Sequence, residues 1–360
     1  IIFIDFARNW GTNKIIIDSN GLNYQGDDDT YIVEYDTAGE TLNIVYVDAT
    51  KGWIPLDDDA VTDAPAAPQT QKGIFAYGST GSAVSMSNLV NSSGVIASDV
   101  SGVGTARVTL AAAGYGGDKA IFAYGSTGSV TSLSNLVNNS GVVASDVTGV
   151  GTARSGPSAA VYGNDKAIFG YGNSGSYVSL TNLVNNSGVI ATDTIGVGTA
   201  RHLLNAATYG TDADKVIFGY GGNASGRVSM TNLVTNVGVV GSDVAGVGTA
   251  RYQIGATGYG STGQCMFAYG SVPGSELNTR NLVSNTGVVA SDASGAGTVR
   301  SSAEGARYGS SGQAIFAYGY DGGNLSMSNL VTNVGVVGSD VSGVGTSRRE
   351  LAAAGYSLSA

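Results

Sequence analysis

The sequence predicts an all-β protein: a six-bladed β-propeller of four-stranded blades, ring-closed by its C-terminal strand, behind a small N-terminal β-domain. Three observations lead there. First, a phenylalanine in an Ala-Ile-Phe-Ala-Tyr-Gly-like stretch returns at 75, 122, 169, 218, 267 and 316, in steps of 47, 47, 49, 49 and 49 residues. A period in that range signals a repeat architecture. Second, apolar and polar residues alternate within a copy, as in Val178-Ser-Leu-Thr-Asn182, the mark of a half-buried strand, with glycine-bearing turns about every 8 to 12 residues. Third, the array has complementary ends. The first copy begins at Lys72 without the small-residue segment that precedes the other phenylalanine strands, and Arg348-Arg-Glu-Leu-Ala-Ala-Ala-Gly-Tyr356 supplies that segment with no phenylalanine strand after it. An open solenoid would need a cap at each end, whereas a ring pairs the two ends and leaves no strand edge at the seam.

Taken in order, residues 1–56 read as a small acidic all-β module. Ile1-Ile-Phe-Ile-Asp-Phe6, Lys14-Ile-Ile-Ile-Asp18, Tyr31-Ile-Val-Glu-Tyr35 and Thr41-Leu-Asn-Ile-Val-Tyr-Val47 are strand candidates rich in β-branched residues, separated by turn signals such as Ser19-Asn-Gly21. Trp10 and Trp53 are expected to pack its core. Asp27-Asp-Asp29 and Asp57-Asp-Asp59 lack the spacing of a calcium loop and read as solvated acidic loops. Residues 57–71, with Pro65 and Pro68, read as an extended linker. The repeat body is 72–360.

Spacings separate the fixed parts of a copy from the free ones. The Asn of Asn-Leu-Val lies 11 residues before an Asp in every copy, from Asn88–Asp99 to Asn329–Asp340. That Asp lies 8 residues before an Arg, and the Arg 8 before a Tyr. Length varies only between that Tyr and the Phe, and between the Phe and the Asn. Constant spans are packed strands and tight turns, and variable ones are surface loops.

Charge divides the chain at the same place. Residues 1–71 hold 13 acidic and 3 basic side chains, while 72–360 hold 14 of each. With no basic face, nucleic acid is not an expected partner. No apolar run approaches the length of a membrane span, so no membrane insertion is expected. Cys265 is the single cysteine, which excludes an intrachain disulfide. The chain starts at Ile1 rather than methionine, which fits a longer or processed polypeptide.

The order Arg, small-residue strand, Ile-Phe-Gly-Tyr-Gly, strand, turn, next Arg resembles a kelch repeat over 72–360, with Tyr124-Gly125 where kelch repeats carry a double glycine. Asn13-Lys-Ile-Ile-Ile-Asp-Ser-Asn-Gly21 and Leu42-Asn-Ile-Val-Tyr-Val-Asp-Ala-Thr-Lys-Gly-Trp53 resemble small β-modules of marine bacteriophage tail-fibre and appendage proteins. Thr181-Asn-Leu-Val and Gly196-Val-Gly-Thr-Ala-Arg201 are similar to arrays in the same group. The resemblance implies a virion fibre, adsorption or decoration protein at the particle surface. It also implies contacts to other virion proteins through the N-terminal module, and a homotrimer through that region.

Residues that recur in every copy are expected to be structural, because chemistry needed once has no reason to appear six times. These are Phe75, Phe122, Phe169, Phe218, Phe267 and Phe316 as core between copies. They are also Asp99, Asp146, Asp193, Asp243, Asp292 and Asp340 with Arg107, Arg154, Arg201, Arg251, Arg300 and Arg348, which satisfy backbone groups or pair across copies, at the small gain of exposed pairs. No catalytic residue, metal or cofactor is expected. His202 is the only histidine, no Gly-x-Ser-x-Gly elbow accompanies it, and unique carboxylates such as Asp212, Asp214, Glu276, Glu304, Asp321 and Glu350 are few. Binding is expected where copies differ on one face: at Tyr177, Arg227, Glu276, Tyr320 and Asp321 in one set of loops, and at His202, Tyr252 and Arg349 just after the repeated arginines. Tyrosine and arginine favour contacts with protein or sugar. The expected function is a non-enzymatic phage appendage displaying a receptor- or glycan-binding face. The alternatives are a bacterial surface or secreted binding module and, third, a glycan-cleaving propeller enzyme.

Overall fold

The computed structural model describes residues 1–27, 33–57, 70–295 and 297–359. Every regular element among them is a β-strand, and all the strand pairs are antiparallel. The chain divides into two compact units, Ile1–Ala67 and Pro68–Ala360.

In the first unit, Ile2–Ile4 and Gly52–Asp57 flank Thr41–Asp48 in one sheet, and Ile15–Ile17 pairs with Val33–Tyr35 in another. Leu42, Ile44, Val33 and Tyr24 form its core, with Phe3, Ile17, Tyr35 and Trp53 packed against it. Trp10 is only half-buried and lies outside that cluster. Its amide and those of Asn9 and Gly39 instead donate to the buried Asp5 carboxylate. Asp28, Asp29, Asp58 and Asp59, and the linker over 58–69, lie outside the described residues.

The second unit carries six sheets of the same plan. In the second copy Ala111–Tyr115, Lys119–Ala123 and Ser134–Val137 lie side by side, with the phenylalanine strand in the middle. In the first copy the leading strand comes from the far end of the chain: Ala352–Tyr356 pairs with Lys72–Ala76, Ala353 opposite Phe75. Each leading strand packs against the leading strands of two other sheets, and Ala352–Tyr356 packs against both Ala111–Tyr115 and Glu304–Tyr308. Alanine and glycine dominate these strands because they approach one another closely. Six apolar clusters lie between successive sheets. Each phenylalanine meets the tyrosine of the preceding copy edge-on or tilted, as Phe122 does Tyr77 at 5.4 Å and Phe75 does Tyr318 at 5.5 Å. These aromatics are therefore core, as expected.

Four regular strands per copy do not form. Each sheet has three, and the outer segment joins through two separated bridges, Val90↔Ile96 and Ser87↔Val100 in the first copy. Three residue steps on one side face four on the other, so one residue bulges and the ladder breaks. The Asn88 side chain fills the gap by donating from Nδ2 to the Ala97 carbonyl, 2.9 Å away.

Candidate binding face

The recurring polar residues assemble between sheets rather than within them. Asp146 accepts two hydrogen bonds from the amide of Thr105 and a third, 2.6 Å long, from its hydroxyl. Asn135 donates to Asp146 at 2.9 Å and accepts from Arg107 Nη2 at 2.6 Å. The Arg107 guanidinium lies 4.3 Å over the Tyr77 ring of the preceding sheet, a cation–π arrangement. The same cluster recurs around Arg154, Arg201, Arg251, Arg300 and Arg348. At the junction of first and last copies, Thr346 donates to Asp99 and Arg348 stacks on Tyr318. Gly104 makes the fit possible: its φ is +76°, and a Cβ there would sit 2.4 Å from Asp146 Oδ1.

The expectation of exposed Asp–Arg pairs is corrected here. All six arginines are completely buried, while the aspartates keep roughly a third of their side chains in water. Five of the ion pairs are loose at 3.8–3.9 Å, and Arg154–Asp193 is not among the pairs within 4.0 Å. The shorter contacts run through asparagine and threonine. Partial burial works against ionisation of Asp99, but the hydroxyl and amide of Thr346, the Asn88 amide and Arg348 outweigh it and hold the carboxyl below its usual range. The other five aspartates behave alike. Desolvation above the arginines pushes the Tyr77, Tyr171, Tyr220 and Tyr318 hydroxyls up to about 12. Tyr77, Tyr124, Tyr171, Tyr220 and Tyr318 donate to the carbonyls of Val103, Val150, Val197, Val247 and Val344.

Where copies differ, side chains from neighbouring sheets meet. Tyr177, which opens strand Tyr177–Val184, stacks on His202 with ring centres 4.5 Å apart and planes 17° from parallel. The Arg227 guanidinium lies 4.3 Å over the ring of Tyr252, and its Nε donates to the Ser271 carbonyl at 3.0 Å. Arg349 lies 4.5 Å over Tyr320. All six side chains are half-buried, so each pair presents an edge to solvent. Burial pushes the His202 imidazole below its ordinary range, partly offset by the Gly222 carbonyl against Nδ1. Six of the eight candidates thus come together as three pairs. Glu276 is half-buried and joins none of them, and its Oε2 has no hydrogen-bond partner among the described residues. Asp321 is exposed in a turn, where it accepts a long hydrogen bond from the Gly323 amide.

Sequence reasoning missed one set of residues and saw a second only in part, as Glu304 and Glu350 among the unique carboxylates. The repeated asparagines Asn88, Asn135, Asn182, Asn232, Asn281 and Asn329 are completely buried and join Asp to Arg in every copy. Their invariance at fixed spacing was the available signal. The other set surrounds a small cavity to which all six copies contribute, from Thr109, Gly156, Leu203, Gln253, Ser302 and Glu350 and their neighbours. Glu304 lines it, and its Oε2 accepts from Asn205 Nδ2 at 3.1 Å. A glutamate where other copies have alanine, serine, asparagine or glycine was the signal there. The cavity residues directly follow His202, Tyr252 and Arg349 in sequence, so cavity and ring pairs share one side of the unit.

Compared with protein-family models and with curated proteins, the chain gives no match.

Proposed function

We propose that residues 72–360 form a six-bladed propeller that acts as a binding module without catalysis, and that its ring-pair face recognises a glycan or protein on a host cell surface. Two features support the ring reading: the pairing of Ala352–Tyr356 with Lys72–Ala76, and the packing of every leading strand against two others. The observation that carries the binding reading is the meeting of Tyr177 with His202, Arg227 with Tyr252 and Arg349 with Tyr320. These residues depart from the repeat, so the scaffold does not require them. Together they offer flat rings beside guanidinium donors, the side chains that dominate recognition surfaces.

On this reading the chain is an appendage of a phage particle, and the N-terminal unit is its attachment module. An exposed aliphatic face in that unit supports the second part. Ile2, Ile4, Val45, Val47 and Leu56 are each between 41% and 63% exposed, more than solubility alone would favour for so small a unit.

A glycan array probed with the intact chain, read for retained sugar and for released product, tests the binding reading. Retention without release is expected. Arg227→Ala with Tyr252→Ala should abolish retention while leaving the melting temperature within about 2 °C of wild type, as surface substitutions do. Release of sugar, or retention unaffected by this double substitution, would sink the proposal.

A further inference from the structure

The first residues of the six leading strands are Ala352, Ala111, Ser158, Asn205, Gly255 and Glu304. Three are polar, and they are linked. Ser158 Oγ donates to Asn205 Oδ1 at 3.2 Å, and Asn205 Nδ2 donates to Glu304 Oε2 at 3.1 Å. Gly255 comes between Asn205 and Glu304 in chain order. A Cβ there would lie 2.6 Å from the Ala303 carbonyl, so the position stays bare and Asn205 reaches past it. The opposite side carries only alanines.

The cavity beside these residues encloses ≈ 40 Å³, room for a few water-sized groups. Its rim is fixed by backbone. Thr109, Gly156, Leu203, Gln253 and Ser302 each donate an amide hydrogen bond to the corresponding carbonyl of the preceding copy, at 2.8–3.0 Å. All six rim residues have φ between 50° and 57°, a left-handed conformation that costs non-glycine residues energy and persists only where surroundings enforce it. About half of the wall is hydrocarbon: Leu110, Leu204, Ile254 and Leu351 are buried, beside Pro157. Its charged groups are Glu304 and Glu350, and no lysine or arginine lines it among the described residues. Arg349 Nε is buried 3.8 Å from Glu350, and the guanidinium lies over Tyr320 rather than in the cavity lining. Glu304 Oε1 accepts no hydrogen bond among the described residues.

We propose that this cavity takes the end of an alkylammonium group, with its nitrogen on Glu304 and its carbon stem against the leucine and isoleucine wall. A half-buried carboxylate with one amide donor is under-compensated, and an ammonium supplies three donors and the missing charge. A calcium ion would need six to eight oxygen ligands, and only two carboxylates line the cavity among the described residues. Burial pushes the free Glu304 carboxyl up to about 8, against the Asn205 hydrogen bond. An arriving cation therefore displaces its proton, and affinity should rise with pH up to that value. The chemistry fits a lysine side chain of a partner protein or a free amine. The inference rests on the cavity alone and not on the ring pairs.

Calorimetric titration of the intact chain with n-butylammonium chloride tests it, in two buffers of different ionisation enthalpy. Saturable heat with release of close to one proton at pH 7 is expected, and binding about tenfold weaker at pH 6. n-Butanol and sodium chloride should give no saturable heat. Glu304→Gln should abolish binding and Glu350→Gln weaken it several-fold, while Arg227→Ala leaves it unchanged. That last variant separates failure here from failure of the ring-pair reading. Nα-acetyl-lysine amide binding more tightly than butylammonium would indicate a partner's lysine, and equal binding a free amine. No saturable heat, equal binding of butanol, or undiminished binding by Glu304→Gln overturns the proposal. Should Glu304→Gln not fold, the proton release and pH dependence of the wild type decide.

Discussion

Two regions of the repeat unit use similar side chains to opposite ends. Between the sheets, Arg, Tyr, Asn, Asp and Thr form the same cluster six times, with each arginine buried on the tyrosine of the sheet before it. On the ring-pair face, Arg227–Tyr252 and Arg349–Tyr320 show the same guanidinium-on-ring geometry at nearly the same distance. There, however, each pair occurs once, is half-exposed, and has no asparagine or aspartate behind it. Geometry alone therefore does not separate scaffold from recognition surface. Recurrence and burial do: what every copy repeats around a buried arginine holds the sheets together, and what one copy carries at a half-exposed edge is not required by the scaffold.

The sharpest way to break the scaffold side is at its seam. Deleting 348–360 removes Arg348, the strand paired to Lys72–Ala76, and the buried Leu351. It also leaves Asp99 and Asn88 without Arg348. Loss of cooperative melting of the second unit is expected, because these contacts rival the 5–15 kcal/mol that holds a domain folded. A calorimetric trace with an unchanged transition would show that the seam contributes nothing. Arg251→Ala is the next largest. It empties the space over Tyr220 and strands the buried side-chain Oδ1 of Asn281. A loss of about 3 kcal/mol is expected in denaturant unfolding, at the low end for broken buried pairs, because Asp292 remains 32% exposed.

pH separates the six-fold scaffold from the single cavity. The six aspartates have folded values below their unfolded ones. The unfolded chain then binds more protons, so the stability they contribute is present above about pH 4 and is lost as pH falls through the folded values. Glu304 has the opposite sign. Its folded value of about 8 means that its contribution is present below about pH 4.3 and is lost as pH rises toward 8. Glu304→Gln should therefore flatten the stability profile between about pH 4.3 and 8 and leave the limb below about pH 4 unchanged. A variant whose acid limb moves instead would place the sensitivity elsewhere.

Much of the scaffold was legible because repetition makes sequence spacing a ruler. Constant separations marked the strands and tight turns, and the complementary ends marked the pairing of Tyr356 with Lys72. The irregular outer segment was not legible. Its Val-Val-Ala-Ser-Asp composition reads as a strand, and only the one-residue mismatch between its two bridges breaks the ladder. The asparagines were hidden by their regularity: Asn88 served as a landmark for counting, and nothing local says that its side chain joins Asp99 to Arg348. On the face, departure from the repeat located six residues that do meet. It could not exclude Asp321, whose turn is variable for want of packing, and it ranked Glu304 no higher than other unique carboxylates. Only the convergence of six strands puts Glu304 opposite Asn205, 99 positions away.

The smallest expected effect on stability is the one that most sharpens the comparison. Arg227→Ala removes the same kind of guanidinium-on-ring contact as Arg251→Ala, at 4.3 Å against 4.4 Å. Yet Arg227 is half-exposed, and its one hydrogen bond goes to the Ser271 carbonyl, which also accepts from the Tyr252 amide and so keeps a partner when Arg227 is removed. The stability loss should be within about 0.5 kcal/mol, the usual range for surface substitutions. Equal losses from the two substitutions in denaturant unfolding would mean that burial and the asparagine–aspartate backing add nothing to the shared ring contact, and the division between scaffold and face would fail. A gap of about 2 kcal/mol or more would measure what desolvation and the polar backing contribute, since the contact itself is common to both.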